Sequence, residues 1–212
     1  MTLVTIGDSI TKGTYTAEHE SSPSTIANPN FSDVLRELLG CDQLFNHGEN
    51  GTCISSNNHV FPHRAMVLRY VEMEDADVVI LAAGTNDFRC GVPLGNPGDT
   101  GEDTFFGAVD MILKGLKEKY PSAEIYVVAP IHCHDEDNNP LGLSQDVYRD
   151  ILFKKAAEYN LPAIDGYEVP LNLKDDAQRK LYGKDGVHPN VAGHRIYGEY
   201  IYKKICEYRA AK

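Results

Sequence analysis

The feature that most constrains this chain is an alternation of two periods. Short apolar runs alternate with longer stretches in which apolar residues return every three to four positions. The runs Leu3 to Ile6, Asp77 to Ala82 and Glu124 to Ala129 are too short for helices and apolar on both faces, as expected of strands in a sheet buried on both sides. Leu44 to Asn46 and Leu161 to Asp165 are weaker versions, so five parallel strands are predicted. Phe105, Val109, Ile112, Leu113, Leu116 and Tyr120 share one helix face, with Asp103 or Thr104 placed to cap its start and Pro121 to end it. Val147, Ile151, Leu152 and Tyr159 repeat the pattern. Ile196, Tyr197, Tyr200, Ile201, Ile205 and Tyr208 predict a terminal helix. Strands alternating with helices imply an α/β fold, a parallel sheet covered by helices on both faces. The apolar and tyrosine stripes are read as core, not as a binding surface.

Two segments carry neither period, Thr14 to Asn30 and Arg89 to Glu102, the second rich in glycine and proline. Both are expected to be loops at the rim of a binding site, the second a candidate lid; plain surface excursions are the alternative. No linker, repeat or low-complexity tract divides the 212 residues, so one domain is expected over 1–212.

With 31 acidic against 20 basic residues and a net charge of −11, the chain is not expected to bind nucleic acid or an anionic membrane. The N-terminus, MTLVTIGDSI, has no basic segment ahead of an apolar run. No stretch approaches the roughly 20 apolar residues of a membrane span. A cytoplasmic protein is expected, or one whose signal peptide has been removed. Five cysteines, odd in number and without a CxxC pair, predict reduced thiols, not a disulfide framework or a zinc ribbon.

In an open parallel sheet, ligands gather beyond the carboxyl ends of the strands. Four polar, glycine-bearing segments fall there: Gly7-Asp8-Ser9-Ile10, Asn46 to Gly51, Gly84-Thr85-Asn86-Asp87 and Asp185-Gly186-Val187-His188-Pro189. Ser9 is a candidate nucleophile if a base can take its proton; alone, it reads equally as a turn residue or helix cap. Asp185 and His188, three apart, can place a carboxylate beside an imidazole, although a capping aspartate and a surface histidine give the same string. Asn86 offers a side-chain amide, and Gly51 and Ser9 offer backbone N–H groups, as donors to a developing oxyanion. Each also has a purely local reading, an Asx turn for Asn86 and a positive φ for Gly51. The argument for chemistry is that all of them converge on one sheet edge.

These four segments, in this order across nearly the whole chain, resemble the sequence blocks of the SGNH hydrolases, also called GDSL-like esterases and lipases. The resemblance implies Ser9 as nucleophile, His188 as base and Asp185 as its support. It also implies an oxyanion hole of the Ser9 amide, the Gly51 amide and the Asn86 side chain. Its fold is a flavodoxin-like three-layer α/β/α sandwich with strand order 2-1-3-4-5. Ile10 stands where leucine is usual, a change confined to packing. Gly48 competes with Gly51 for the glycine role, and Gly51 is preferred because it holds the later position. Asp87 is expected to buttress its loop.

Asp8, Arg89 and His132 are further candidates for contact with substrate. Arg89 would meet an anionic substrate or pair with Glu102 or Asp103. His132-Cys133-His134-Asp135 contains metal-ligand types but has no second cluster, and no metal or cofactor is expected. His47, His59 and His63 are read as ordinary hydrogen-bonded histidines. The Gly91 to Gly101 stretch lacks the lysine and hydroxyl ending of a phosphate loop.

The expected function is hydrolysis of a short acyl ester, with acetyl groups on a carbohydrate as the family-level expectation and a lysophospholipase or thioesterase as the alternative. A rival of another class is a flavodoxin-like module binding a flavin or nucleotide at the same edge, against which Asp8 would repel a phosphate. A pseudoenzyme that retains the site only for sugar or peptide binding is a further one.

Overall fold

The structure, a computed structural model, describes residues 1–17 and 23–211. Strand β1 (Thr2–Gly7) runs into a one-turn helix α1 (Ser9–Lys12). Two short strands, β2 (Thr14–Thr16) and β3 (Ser24–Ile26), pair antiparallel. Then follow α2 (Phe31–Leu39), β4 (Gln43–Gly48), α3 (Met66–Arg69), β5 (Val78–Ala82), α4 (Thr85–Cys90), α5 (Phe105–Lys119) and β6 (Glu124–Val128). The chain closes with α6 (Gln145–Glu158), β7 (Ala163–Ile164), α7 (Asp176–Tyr182) and α8 (Val191–Ala210).

The main sheet has five strands in the order β4-β1-β5-β6-β7, all pairs parallel. Counting only its own strands, this is 2-1-3-4-5. Side chains alternate between its faces with period two. Val4, Ile6, Val79, Leu81 and Val127 pack against Ile112 and Leu116 of α5 and Leu152 of α6. Leu3, Val78, Ile80, Tyr126 and Val128 pack against Phe31 and Leu35 of α2 and Ile201 and Ile205 of α8. Each such Leu or Ile contributes about 1.5–3 kcal/mol relative to leaving it in water, which holds the three layers together.

Helix ends follow local chemistry. Thr104, not Asp103, caps α5, its side chain accepting from the Gly107 amide at 3.2 Å. Asn30 caps α2 in a reciprocal box with Asp33, a start signal the sequence carries next to the Phe31, Val34, Leu35 stripe.

Several expectations need correction. Thr14 to Asn30 is not devoid of regular structure, because β2 and β3 lie within it; residues 18–22 of that segment are outside the described residues. Arg89 and Cys90 complete α4, so the irregular stretch begins at Gly91, which closes that helix with φ +66. That stretch is tied down: the Tyr148 hydroxyl donates to the Val92 carbonyl at 2.7 Å, and the Phe105 amide to the Pro93 carbonyl at 2.8 Å. The fifth strand is cut to Ala163–Ile164. Among the described residues, no helix is long and apolar enough to cross a membrane.

The register sets up the site. Gly7 stands level with Gly48 on one side and with Ala82 on the other. Three adjacent strands therefore end together, and the turns after them share one edge.

Candidate active site

β1 turns sharply into α1 at a glycine that tolerates no side chain. A Cβ on Gly7 would lie 2.0 Å from Thr11 Oγ1 and 2.3 Å from the Ala82 carbonyl. Asp8 caps α1, accepting from the Ile10 amide at 2.9 Å, and Gly13 ends it with φ +88. Ser9 is thereby held at the first helical position, its Oγ 2.7 Å from His188 Nε2.

The Asp185 to His188 segment builds its own geometry. Asp185 Oδ1 accepts the amides of Val187 at 3.0 Å and His188 at 2.8 Å, while Oδ2 lies 2.7 Å from His188 Nδ1. The turn requires Gly186, at φ +77, where a Cβ would stand 2.4 Å from His134 Nδ1. Burial pushes the Asp185 carboxyl up, but the hydrogen bond and charge of His188 and the two backbone amides outweigh it, holding Asp185 at about 2. Thr16 Oγ1 adds a longer bond at 3.4 Å. A carboxylate on Nδ1 fixes the proton there and leaves Nε2 free to accept the Ser9 hydroxyl proton.

The candidate donors differ in what they already bond. Neither the Ser9 amide nor the Gly51 amide donates to another described residue. Gly51 sits at φ +72. Gly48, the alternative, is inside β4: its amide donates to Asn46 Oδ1 at 2.9 Å, and a Cβ there would meet Lys12 N at 2.1 Å. Asn86 Nδ2 donates one hydrogen to the Thr52 carbonyl at 3.1 Å, which orients the amide and leaves the second hydrogen available. Asp87 locks the two arms together by accepting the Ile54 amide at 2.9 Å and the Ser55 amide at 3.0 Å.

Arg69 is the residue that sequence reasoning missed. Only 3% exposed, it donates to the Gly7 carbonyl at 2.6 Å, to the His47 and Arg64 carbonyls, and to Thr52 Oγ1 at 3.3 Å. One guanidinium thus ties the ends of β1 and β4 to the residue after Gly51. Its signal in the sequence is slight, a single cation closing the apolar run Met66-Val67-Leu68.

The weaker candidates fare differently. Asp8 is 2% exposed and occupied as a cap, so it supports the turn. Arg89 pairs with Asp135, not with Glu102 or Asp103. His132 stacks on Tyr167 with ring centroids 3.8 Å apart and bonds Glu136; none of its hydrogen bonds reaches Ser9, Asp185 or His188. Cys133 bonds Asp135 and Gln145 through sulfur, and no trio of His, Cys, Asp or Glu among the described residues is placed to hold a metal.

Burial pushes Asp8 up to about 6, against the Ile10 amide and the charges of His188 and Arg69, and pushes Asp87 up to about 7, against the Ser55 and Ile54 amides. A carboxyl raised by folding contributes stability below its unfolded value near 3.8 that is lost as pH rises through the folded one. Asp8→Asn keeps the cap and cannot ionise. Its stability relative to the parent should therefore improve between pH 5 and pH 8, by about 1 kcal/mol. Urea midpoints at the two pH values check this; a constant difference would refute it.

The sequence model of the GDSL-like Lipase/Acylhydrolase family matches residues 5–196. The chain belongs to this family. GDSL-like acylhydrolases cleave acyl esters, and ester hydrolysis is the reaction class of this member. Among solved structures it is similar to a protein from Lactobacillus plantarum, 28% identical over 99% of this chain and 96% of that one, with a TM-score of 0.81. The aryl esterase of M. smegmatis shares the fold at 21% identity, 97% and 98% coverage and a TM-score of 0.70. So does a carbohydrate acetylesterase family member from Sinorhizobium meliloti, at 21% identity, 96% coverage of each chain and a TM-score of 0.67. No curated protein matches the sequence.

Proposed function

We propose that this GDSL-like hydrolase is a serine esterase acting on short acyl esters, acetyl groups on a carbohydrate foremost. The observation that carries the reading is the unbroken chain from Ser9 Oγ through the His188 ring to Asp185, 2.7 Å at each link. Ser9 attacks the ester carbonyl as His188 takes its proton. The tetrahedral oxyanion is received by the Ser9 and Gly51 amides and the free hydrogen of Asn86. His188 then protonates the departing alcohol, and water repeats the sequence to release the acid. Asp185 stays ionised and holds the imidazolium.

Support for a short acyl group comes from the wall beside Gly51. Phe61, 47% exposed, brings its ring to 3.0 Å from where a Gly51 Cβ would stand, with a Val60 methyl at 3.5 Å. An apolar surface so close to the oxyanion glycine suits a small acyl substituent. The acetylesterase from Sinorhizobium meliloti with the same fold points the same way.

Initial rates on p-nitrophenyl acetate, butyrate and octanoate, an acetylated oligosaccharide and an acyl thioester test the reading. Acetate esters should be fastest. A preference for octanoate or for the thioester would overturn the short-ester assignment in favour of a lysophospholipase or thioesterase. Asn86→Ala should lower kcat by about 10²–10³-fold with KM little changed, because the lost donor acts on charge that develops in the transition state. A rise in KM at constant kcat would remove Asn86 from the oxyanion hole.

A further inference from the structure

The segment that follows β6 links the two halves of the site. The His134 amide donates to the Gly186 carbonyl at 2.9 Å, and the His134 ring lies against Gly186, where a Cβ would stand 2.4 Å from Nδ1. His134 is thereby set on the turn between Asp185 and His188. One residue on, Asp135 Oδ2 accepts from Arg89 Nη1. Arg89 stands three positions after Asn86 in α4, hence on the same side of that helix. The other oxygen of Asp135 accepts the Cys133 thiol at 3.3 Å, which fixes the carboxylate from behind. A polar rim of His134, Asp135 and Arg89 therefore runs from the turn of the base to the helix of the asparagine donor.

We propose that Arg89, Asp135 and His134 form a subsite for the sugar hydroxyls on the alcohol half of the ester, and that this subsite sets a preference for carbohydrate esters over simple ones. Hydrogen-bonding capacity remains on all three. Among the described residues Nη1 is the one guanidinium nitrogen of Arg89 with a partner, and the His134 ring makes no hydrogen bond, its Nδ1 standing 3.9 Å from Asp135 Oδ1. Each side chain is open to solvent, at 35–37% exposure. An ion pair so exposed contributes little to stability. It does hold acceptors beside donors at fixed spacing, which neighbouring hydroxyls of a sugar ring, each both donor and acceptor, can match. An anionic ligand is disfavoured, because Asp135 already neutralises Arg89 and the chain carries a net charge of −11. An apolar one would strip water from charged groups and return no hydrogen bonds. The position suits the alcohol half. His188 protonates the departing alcohol beside the turn that His134 covers, whereas the Phe61 and Val60 wall stands at Gly51.

The subsite's part in specificity rests on the esterase reading; its affinity for sugar does not. Parent, Arg89→Ala and Asp135→Ala proteins are compared on acetylated xylotriose and on p-nitrophenyl acetate, whose alcohol half has no sugar hydroxyl. Either substitution should raise KM for acetylated xylotriose about tenfold or more, the loss expected for hydrogen bonds to charged groups. The ratio of kcat/KM for the sugar ester over the nitrophenyl ester should fall by a similar factor. A rim that merely holds α4 in place would lower kcat on both esters alike; that result, or an unchanged KM, overturns the proposal. Binding of unacetylated xylotriose, followed by calorimetry, should weaken about tenfold in both variants. Should the parent hydrolyse neither ester, the esterase reading fails by itself, and the xylotriose titration still decides the subsite. A parent that binds no xylotriose, or variants that bind it as tightly as the parent, would end it.

Discussion

Ser9→Ala will lower kcat on p-nitrophenyl acetate by about 10⁶-fold while the melting temperature stays within about 4 °C of the parent. The activity loss is large because the hydroxyl removed is the attacking group of the proposed mechanism, 2.7 Å from His188 Nε2 at the start of α1. The stability change is small because the turn depends on Gly7, Asp8 and Gly13, and the serine contributes one part-exposed hydrogen bond. His188→Ala should fall to about the same level, and the double variant no lower, since neither group works without the other. Asp185→Asn should cost about 10⁴-fold, less than Ser9, because the imidazole remains but loses the carboxylate that sets its tautomer. Steady-state rates with purified variants decide this; a Ser9→Ala protein retaining even a tenth of the parent rate would end the assignment.

The second large effect falls on stability. Arg69→Met should destabilise the fold by about 3–5 kcal/mol. The substitution keeps the apolar stem and removes donors to the Gly7, His47 and Arg64 carbonyls and to Thr52 Oγ1. The Gly7 carbonyl keeps only the longer bonds from the Glu49 amide at 3.2 Å and the Thr52 hydroxyl at 3.5 Å. The cation that faces Asp8 is also lost. Arg69→Lys should recover only part of this, because an ammonium lacks the planar fork that reaches two strand ends together. Urea unfolding measures the difference; a loss below about 1 kcal/mol would show that water replaces the guanidinium without strain. The same variants should lose kcat, since Gly7 precedes the Ser9 turn and Thr52 adjoins Gly51.

Much of the fold was legible because its signals are local. A buried parallel strand must be apolar on both faces, and Val78 to Ala82 is buried at every position. A helix on the sheet must repeat its apolar residues every three to four positions, as α5 does. What escaped was short or held by polar groups. α4 is one and a half turns long between Gly84 and Gly91 and has no side-chain cap at its start. β2 and β3 are three residues each, and β3 is wholly exposed, so no burial pattern marks it. α2 did carry a signal, in its Asn30 and Asp33 box.

The site divides along the same line. Asp185 and His188 are neighbours in sequence, and the hydrogen bonds from the Val187 and His188 amides that shape their turn are written into that stretch. Glycine is required at positions 7 and 186 by backbone geometry. By itself, then, the sequence determined the parallel α/β architecture, the local turns and the residue types suited to acyl transfer. Tertiary structure alone decided what those residues meet. It placed Ser9 against a histidine 179 positions away, engaged the Gly48 amide with Asn46, buried Asp8 as a cap and turned Arg89 to Asp135. It also made Arg69 the clasp of two strand ends. The reason is physical: periodicity and capping act within a few residues of chain, whereas contacts between strand ends depend on sheet order and register, which only the packed layers fix.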